Sequence, residues 1–129
     1  MKTVLPMLLL IVCSVAYAAD SFDQRARNAH RLEMQADQRN YQNSLHSALM
    51  PVMKRIMASC RGQVQGNRPQ PFSLVGDVTR HSSIEHIQVR PANGFAKCFA
   101  DGMKKISVPA PPKNYEGRTY PITMDFRFH

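Results

Sequence analysis

The chain has 129 residues, of which 43% are hydrophobic, and its seventeen Lys and Arg against nine Asp and Glu give a formal net charge of +8. This length suits one domain rather than several. The excess of positive charge favours anionic partners, such as an acidic protein, lipid head groups or nucleic acid, although the same charge can serve solubility alone.

Residues 1–18 have the features of a secretory signal peptide. Lys2 provides a positive start, residues 5–15 are mainly apolar, and Ala16 and Ala18 place small side chains where a signal peptidase cleaves. The apolar stretch is shorter than the roughly 20 residues that span a bilayer, which favours cleavage after Ala18 over a membrane anchor. We therefore expect an exported protein, periplasmic or secreted, without a stable membrane span. Outside the cytosol, nucleic acid is the least expected partner.

Cleavage would remove one of the three cysteines, Cys13, and leave Cys60 and Cys98 in a mature chain of 111 residues. An even number of cysteines in an oxidising compartment predicts a disulfide. The alternative, a catalytic cysteine, lacks a local Cys/His signature, and a free thiol would tend to oxidise after export. The mature chain keeps a net charge of +7, since Lys2 is the one charged residue that cleavage removes.

Residues 19–44 form a polar arm. They are rich in Asp, Gln, Arg, Asn and Glu, contain no Gly or Pro, and hold few large apolar residues. This composition tolerates a helix, but the apolar stripe is thin. The arm is therefore either a solvated helix or a segment that depends on a partner.

Apolar residues at three- and four-residue spacing predict a helix over residues 45–60. Pro51 interrupts this stretch, so the helix is predicted to start or kink near residues 49–50, with Pro51 in its first turn. Its methionine-rich face could be a partner groove, but core is the more usual role at this spacing. The apolar stripe comprises Leu45, Leu49, Val52, Met53, Ile56 and Cys60.

A β-hairpin is predicted after a loop rich in Gly and Pro at residues 61–71. Residues 72–79 place apolar side chains on one face of a strand, a polar turn follows, and residues 84–90 indicate the returning strand.

A second helix is predicted over residues 95–106, with Asn93 as its N-terminal cap. Lys104 and Lys105 fall in its last turn, where they suit the negative end of the helix dipole. Gly102 lowers the helix propensity and would allow another element to approach closely.

The last two segments are extended. Residues 108–112 are rich in proline and predict a rigid connector, with docking to an aromatic groove as the alternative. Residues 120–129 show the clearest alternation in the chain and predict a strand. Its apolar face comprises Ile122, Met124, Phe126 and Phe128, and Arg127 lies on the opposite face.

The predicted order is helix, strand, strand, helix, strand. It describes a small α+β two-layer sandwich with a three-stranded antiparallel sheet and helices on one face. The chain is thus divided into the signal peptide at residues 1–18, the arm at residues 19–44 and one domain at residues 45–129.

The stretch from Cys60 to Phe128 resembles the C-terminal domain of TonB-type periplasmic energy transducers. The resemblance rests on FSLVGDVT, IEHIQVRPANGF, AKCFADGMKKISVPAPP and YPITMDFRF, in that order. The cysteine positions and the following Pro-x-Pro are similar to those of a TonB-like branch in bacterial motility and envelope proteins. The resemblance implies binding through addition of a strand to a sheet edge.

The chain departs from the TonB family in two features, and these limit which function the resemblance implies. The chain has a cleavable signal and a short arm in place of a membrane anchor and a long spacer, and KISVP replaces the usual aromatic motif before the proline. The resemblance therefore implies partner binding rather than transmission of proton-motive force.

The sequence shows no catalytic signature. Its five histidines have no close metal-ligand spacing, and neither a serine elbow nor a Gly-rich phosphate loop is present. His81 and His86 flank the hairpin turn and could form an acid–base or metal site with Asp77 or Glu85, but solvated turn residues are the more usual interpretation. We therefore expect no enzyme, no metal and no cofactor.

The lead hypothesis is a non-catalytic periplasmic protein-interaction module in an envelope complex for secretion, motility or transport. Its partner would be an envelope protein, which could be acidic, or a second copy of the chain. The alternatives are a periplasmic immunity protein or inhibitor of a toxin or hydrolase, and a small hydrolase that uses His81 or His86. The expected partner-binding residues are Ile122, Met124, Phe126, Phe128, Arg127, Lys104 and Lys105.

Overall fold

A computed structural model describes residues 21–129, so the predicted signal peptide lies outside the described residues. These residues form three α-helices and one three-stranded antiparallel sheet, which confirms the predicted α+β class. None of the helices in this part of the chain is both long and apolar enough to cross a membrane. In chain order the elements are α1 (Phe22–Glu33), α2 (Arg39–Ser59), β1 (Phe72–Val78), β2 (Ile84–Arg90), α3 (Gly94–Met103) and β3 (Tyr120–Phe126).

The strand order is β2-β1-β3, so β1 is central and the other two strands are edges. Val78 of β1 lies opposite Ile84 of β2 and opposite Tyr120 of β3. The pairing of β1 with β3 is regular, whereas β2 carries a bulge where His86 and Ile87 together face Gly76. The predicted hairpin and final strand are both confirmed.

Two helices, α2 and α3, cover one face of the sheet and enclose the main hydrophobic core. Alternate residues of β1 point into this core, as the period of two in a strand requires. Burial of these side chains supplies the main driving force for folding. The core includes Phe72, Leu74 and Val78 of β1, Tyr41, Leu45, Leu49 and Ile56 of α2, and Phe95, Phe99 and Met103 of α3.

The first part of the predicted arm forms a helix, α1, that packs on the opposite face of the sheet, whereas residues 39–44 of the arm belong to α2. Val75 alternates with the core residues of β1 yet is fully buried, as is Ala29 of α1. Arg25 of α1 donates a hydrogen bond to Gln88 of β2 at 3.0 Å and lies 3.4 Å from the carboxylate of Asp77. The expected two layers with helices on one face thus describe α2, α3 and the sheet, and α1 adds a third layer.

The start of α2 differs from the prediction. The helix begins at Arg39 and contains Pro51 in its interior. Of the two predicted alternatives, a start or a kink beside that proline, the start is therefore wrong. Proline removes the N–H that would bond to the carbonyl of Ser47, but Ser47 is exposed and water can satisfy that carbonyl. Tyr41 and Leu45 are buried in the core and hold the earlier turns in place.

The capping of α3 is as predicted. The side chain of Asn93 accepts a hydrogen bond from the N–H of Ala96 at 2.9 Å. The helix ends at Met103, earlier than expected, so Lys104 is its C-terminal cap and Lys105 lies outside the last turn.

The disulfide between Cys60 and Cys98 is confirmed. It joins the end of α2 to the middle of α3 with the two Cα atoms 5.8 Å apart. The helices also touch at Gly102, where an added Cβ would lie 2.6 Å from Cγ2 of Ile56. The predicted close approach at this glycine is therefore confirmed, and Ile56 is the neighbour.

The proline-rich connector is anchored to the hairpin turn. The N–H of Val108 donates to the carbonyl of Ser82 at 2.9 Å. The guanidinium of Arg80 donates to four carbonyls of the segment between α3 and β3, those of Pro111, Pro112, Tyr115 and Gly117. These bonds hold the segment against the domain.

Loss of the disulfide should destabilise the fold. The bridge joins residues 38 apart, so it restricts the unfolded chain by an amount worth roughly 4 kcal/mol. Urea unfolding of the Cys60→Ala/Cys98→Ala variant, and of the wild type with and without reductant, should show this decrease in the free energy of unfolding. A decrease below about 1 kcal/mol would contradict the predicted contribution.

Substitution of Gly102 tests the contact of α2 with α3. Gly102→Ala should lower the free energy of unfolding by about 1–3 kcal/mol, because the new methyl group overlaps Ile56. This decrease is net of the roughly 1 kcal/mol that alanine gains over glycine in a helix. Gly62→Ala is the control, since a Cβ there meets nothing within 4 Å and should have little effect. Stabilisation by Gly102→Ala would refute the close contact.

Candidate functional site

The outer side of β3 exposes main-chain groups that can pair with a further strand. Pro121 has no N–H, so within a strand its nitrogen must face away from β1. Main-chain groups alternate between the two sides of a strand, and Thr123 and Asp125 therefore share this outward orientation. Each directs one N–H and one C=O to this side of the strand, where Asp125 is exposed and Thr123 is 9% exposed.

The other edge strand is less suited to pairing. β2 is interrupted by the bulge, where His86 adopts a positive φ of 53°. Bulges and charged side chains disturb the regular pattern that an added strand would need. β3 pairs regularly along its whole length. Of the two edges, β3 is thus the one that can accept another strand.

An apolar groove of about 330 Å³ runs along the edge of β3. One wall comes from α2, where Met50 is 38% exposed although it is a large apolar residue. A strand paired with β3 could bury its own apolar side chains against this wall. The apolar lining comprises Leu45, Leu49, Met50 and Met53 from α2 and Ile122, Met124 and Phe126 from β3.

The charged side chains that line this edge groove are acidic. Glu33, the last residue of α1, and Asp125 of β3 contribute carboxylates; the imidazole of His46 also lines the groove, and neither Lys nor Arg does. Asp125 also accepts a hydrogen bond from the hydroxyl of Ser73. The edge groove therefore favours a segment with apolar and basic side chains and disfavours an acidic one.

Two tyrosines fix the start of β3 against α2. Tyr41 donates a hydrogen bond to the carbonyl of Pro109 at 2.9 Å, and its ring packs edge-on against Tyr120 with centroids 4.7 Å apart. Gln42 donates to the hydroxyl of Tyr120 at 2.7 Å. Burial raises the pKa of both phenols, which keeps them protonated. The floor and the wall of the edge groove are thus held together at one end.

Three of the seven predicted partner-binding residues line the edge groove. They are Ile122, Met124 and Phe126. Ile122 is 5% exposed and belongs to the core, while Met124 and Phe126 are partly buried. These residues form the floor of the groove.

The other four predicted residues lie elsewhere. Phe128 packs edge-on against Phe95 with ring centroids 5.7 Å apart, beside a different groove. Lys104 pairs with Asp101 at 3.4 Å and lies beside β2, at the opposite edge of the sheet from β3. Lys105 and Arg127 are exposed. The structure therefore does not bring the predicted basic residues to the edge groove.

Sequence reasoning missed the wall of the edge groove. The sequence places Leu45 and Leu49 in the core, where both are buried, and Glu33 in a separate arm, but it does not indicate that these residues meet beside β3. The one available signal is the methionine-rich face of α2, Met50, Met53 and Met57, for which a partner groove is the alternative to the core. Met50 and Met53 line the edge groove, and Met57 does not.

A polar cluster on the α1 face contains His86. Its Nδ1 lies 3.3 Å from the carboxylate of Asp77, which also contacts Arg25. In the described part of the chain, His86 forms no hydrogen bond with a hydroxyl or thiol, and no three His, Cys, Asp or Glu are grouped to hold a metal. Within this cluster, the ion pair between Arg25 and Asp77 ties α1 to the sheet. His81 lies in the exposed turn.

Comparisons with protein-family models, with curated proteins and with solved structures found no match to this chain.

Proposed function

We propose that the protein is a non-catalytic interaction module of the bacterial cell envelope that binds a partner segment as an additional strand along β3. The observation that carries this proposal is the combination of main-chain groups and an apolar groove at the outer edge of β3. Outward main-chain groups at Thr123 and Asp125 lie beside an apolar groove, whereas the other edge strand is bulged.

The geometry of strand addition defines the kind of segment that fits. Main-chain hydrogen bonds align the segment with β3, and its side chains then alternate between the two faces of the sheet. Those on the core face meet Met50 and Met53, which favours apolar residues. Those on the α1 face approach Glu33, which favours a basic or neutral residue.

The main-chain bonds set the alignment, and the apolar contacts contribute to specificity. Each hydrogen bond adds roughly 0.5–1.5 kcal/mol net, because the same groups bind water in the free state. Burial of the partner's side chains against Met50 and Met53 adds binding free energy that depends on the shape of those side chains. Methionine is flexible and adapts to varied shapes.

The location in the envelope is supported by two independent features. Residues 1–18 have the pattern of a signal peptide, and the Cys60–Cys98 disulfide is compatible with an oxidising compartment. The resemblance of residues 60–128 to TonB-type C-terminal domains supports the same assignment and the same binding mode.

Substitution of Thr123 tests strand addition. Thr123→Pro removes one outward N–H and should be compatible with the fold, since Pro121 already occupies the same orientation in β3. Thr123→Val is the matched control, because it keeps the N–H and the size of the side chain. The tagged full chain is expressed in its own host, cross-linked in the envelope and purified for mass spectrometry.

We expect the wild type and Thr123→Val to recover the same partner protein, and Thr123→Pro to recover about two- to tenfold less of it, since one hydrogen bond of roughly 0.5–1.5 kcal/mol is lost. Circular dichroism checks that all three proteins are folded. Equal recovery by the three proteins would contradict the proposal. A dimer of the purified wild type that Thr123→Pro dissociates would show that a second copy occupies the edge instead.

A further inference from the structure

A long stretch of this chain is basic without any acidic residue. From Gln38 to Gly76, 39 residues contain no Asp or Glu. The five Lys and Arg in this stretch are all exposed, and none belongs to the ion pairs found within residues 21–129. They are Arg39, Lys54, Arg55, Arg61 and Arg68.

Two of these cations line a second groove, of about 650 Å³, which we call the basic groove. Lys54 and Met57 are three residues apart and lie on one side of α2. Arg61 lies in the short turn of 3-10 helix that follows α2, and it lines the same groove. Gly66 adopts a φ of +89°, which favours glycine, and shapes the loop that forms the opposite wall.

The lining of the basic groove is largely apolar beneath its charged rim. Phe95 is buried and Phe128 is partly buried, with the two rings packed edge-on. Met57 and Val64 are half-buried beside them, and all four residues line the groove. The groove therefore combines an apolar floor with unpaired positive charge.

We propose that the basic groove binds an acidic segment of a partner protein that inserts a large apolar side chain between Lys54 and Arg61. Carboxylates of the segment would pair with the two cations, and its apolar side chain would be buried against the two phenylalanines. This binding is separate from strand addition, since the basic groove and the edge groove share no lining residue.

The structure favours a protein segment over a lipid surface. A protein that inserts into a membrane surface presents protruding apolar side chains beside its basic residues. In residues 21–129 the exposed large apolar side chains are Met34 and Met50, and neither lines the basic groove. The apolar group must therefore come from the partner and enter the groove.

The probe is a fluorescein-labelled hexapeptide, Asp-Glu-Phe-Asp-Leu-Glu, and fluorescence anisotropy measures its binding to the purified mature chain. Lys54→Glu/Arg61→Glu should weaken binding at least about tenfold. The matched control is Arg31→Glu/Lys113→Glu, which changes the net charge equally through exposed residues outside the groove and should weaken binding less than about threefold. Replacement of Phe and Leu by Ser in the peptide should also weaken binding at least about tenfold, since it removes the groups that the floor buries.

Several results would overturn this proposal. One is equal weakening by the two double variants, which would indicate attraction to the overall charge. Another is equal binding of a peptide with Lys in place of Asp and Glu. A third is loss of peptide binding in Thr123→Pro, which would place the peptide on β3. Binding to phosphatidylglycerol vesicles without binding to the peptide would assign the groove to lipid head groups.

Discussion

The contact between α2 and α3 is the constraint on which both proposed surfaces depend. Because Gly102 has no side chain, Ile56 of α2 approaches the backbone of α3 more closely than a residue with a Cβ would allow. The Cys60–Cys98 bridge joins the same two helices. Together they fix α2 across the core face of the sheet. Residues 42–53 of α2 then form the wall of the edge groove, while Lys54 on α2 and Arg61 just after it supply the cations of the basic groove. One helix thus positions two chemically different surfaces.

Coverage of both sheet faces limits where a partner can bind. α2 and α3 bury one face, and α1 buries Val75 on the other, so the remaining exposed main chain lies at the two edges. The bulge at His86 disturbs β2, whereas β3 stays regular. The acidic rim beside β3 and the basic groove at the end of α2 also select oppositely charged segments. The positive net charge of the chain does not reveal that one groove is acidic and the other basic.

Much of the fold follows from local patterns in the sequence, because alternation, an Asn cap and a cysteine pair each act over short or covalent distances. The missed features depend on tertiary context. Pro51 sits inside α2 because its lost hydrogen bond falls on exposed Ser47. α1 packs on the sheet through the small residue Ala29 and through polar contacts of Arg25. Neither residue contributes to an apolar stripe that the sequence would reveal. The strand residues of the edge groove were predicted, but its helical wall was not. A stripe of apolar residues does not reveal which of them lie at the border of the sheet.

Amide hydrogen exchange in β3, resolved by NMR, tests the central claim that this strand has one free side. In the isolated chain, the amides of Thr123 and Asp125 should exchange much faster than those of Ile122 and Met124, which face β1. This alternation follows from the outward orientation that Pro121 imposes. Uniform protection along the strand, with no difference between alternate residues, would show that the edge is already paired and would contradict the account.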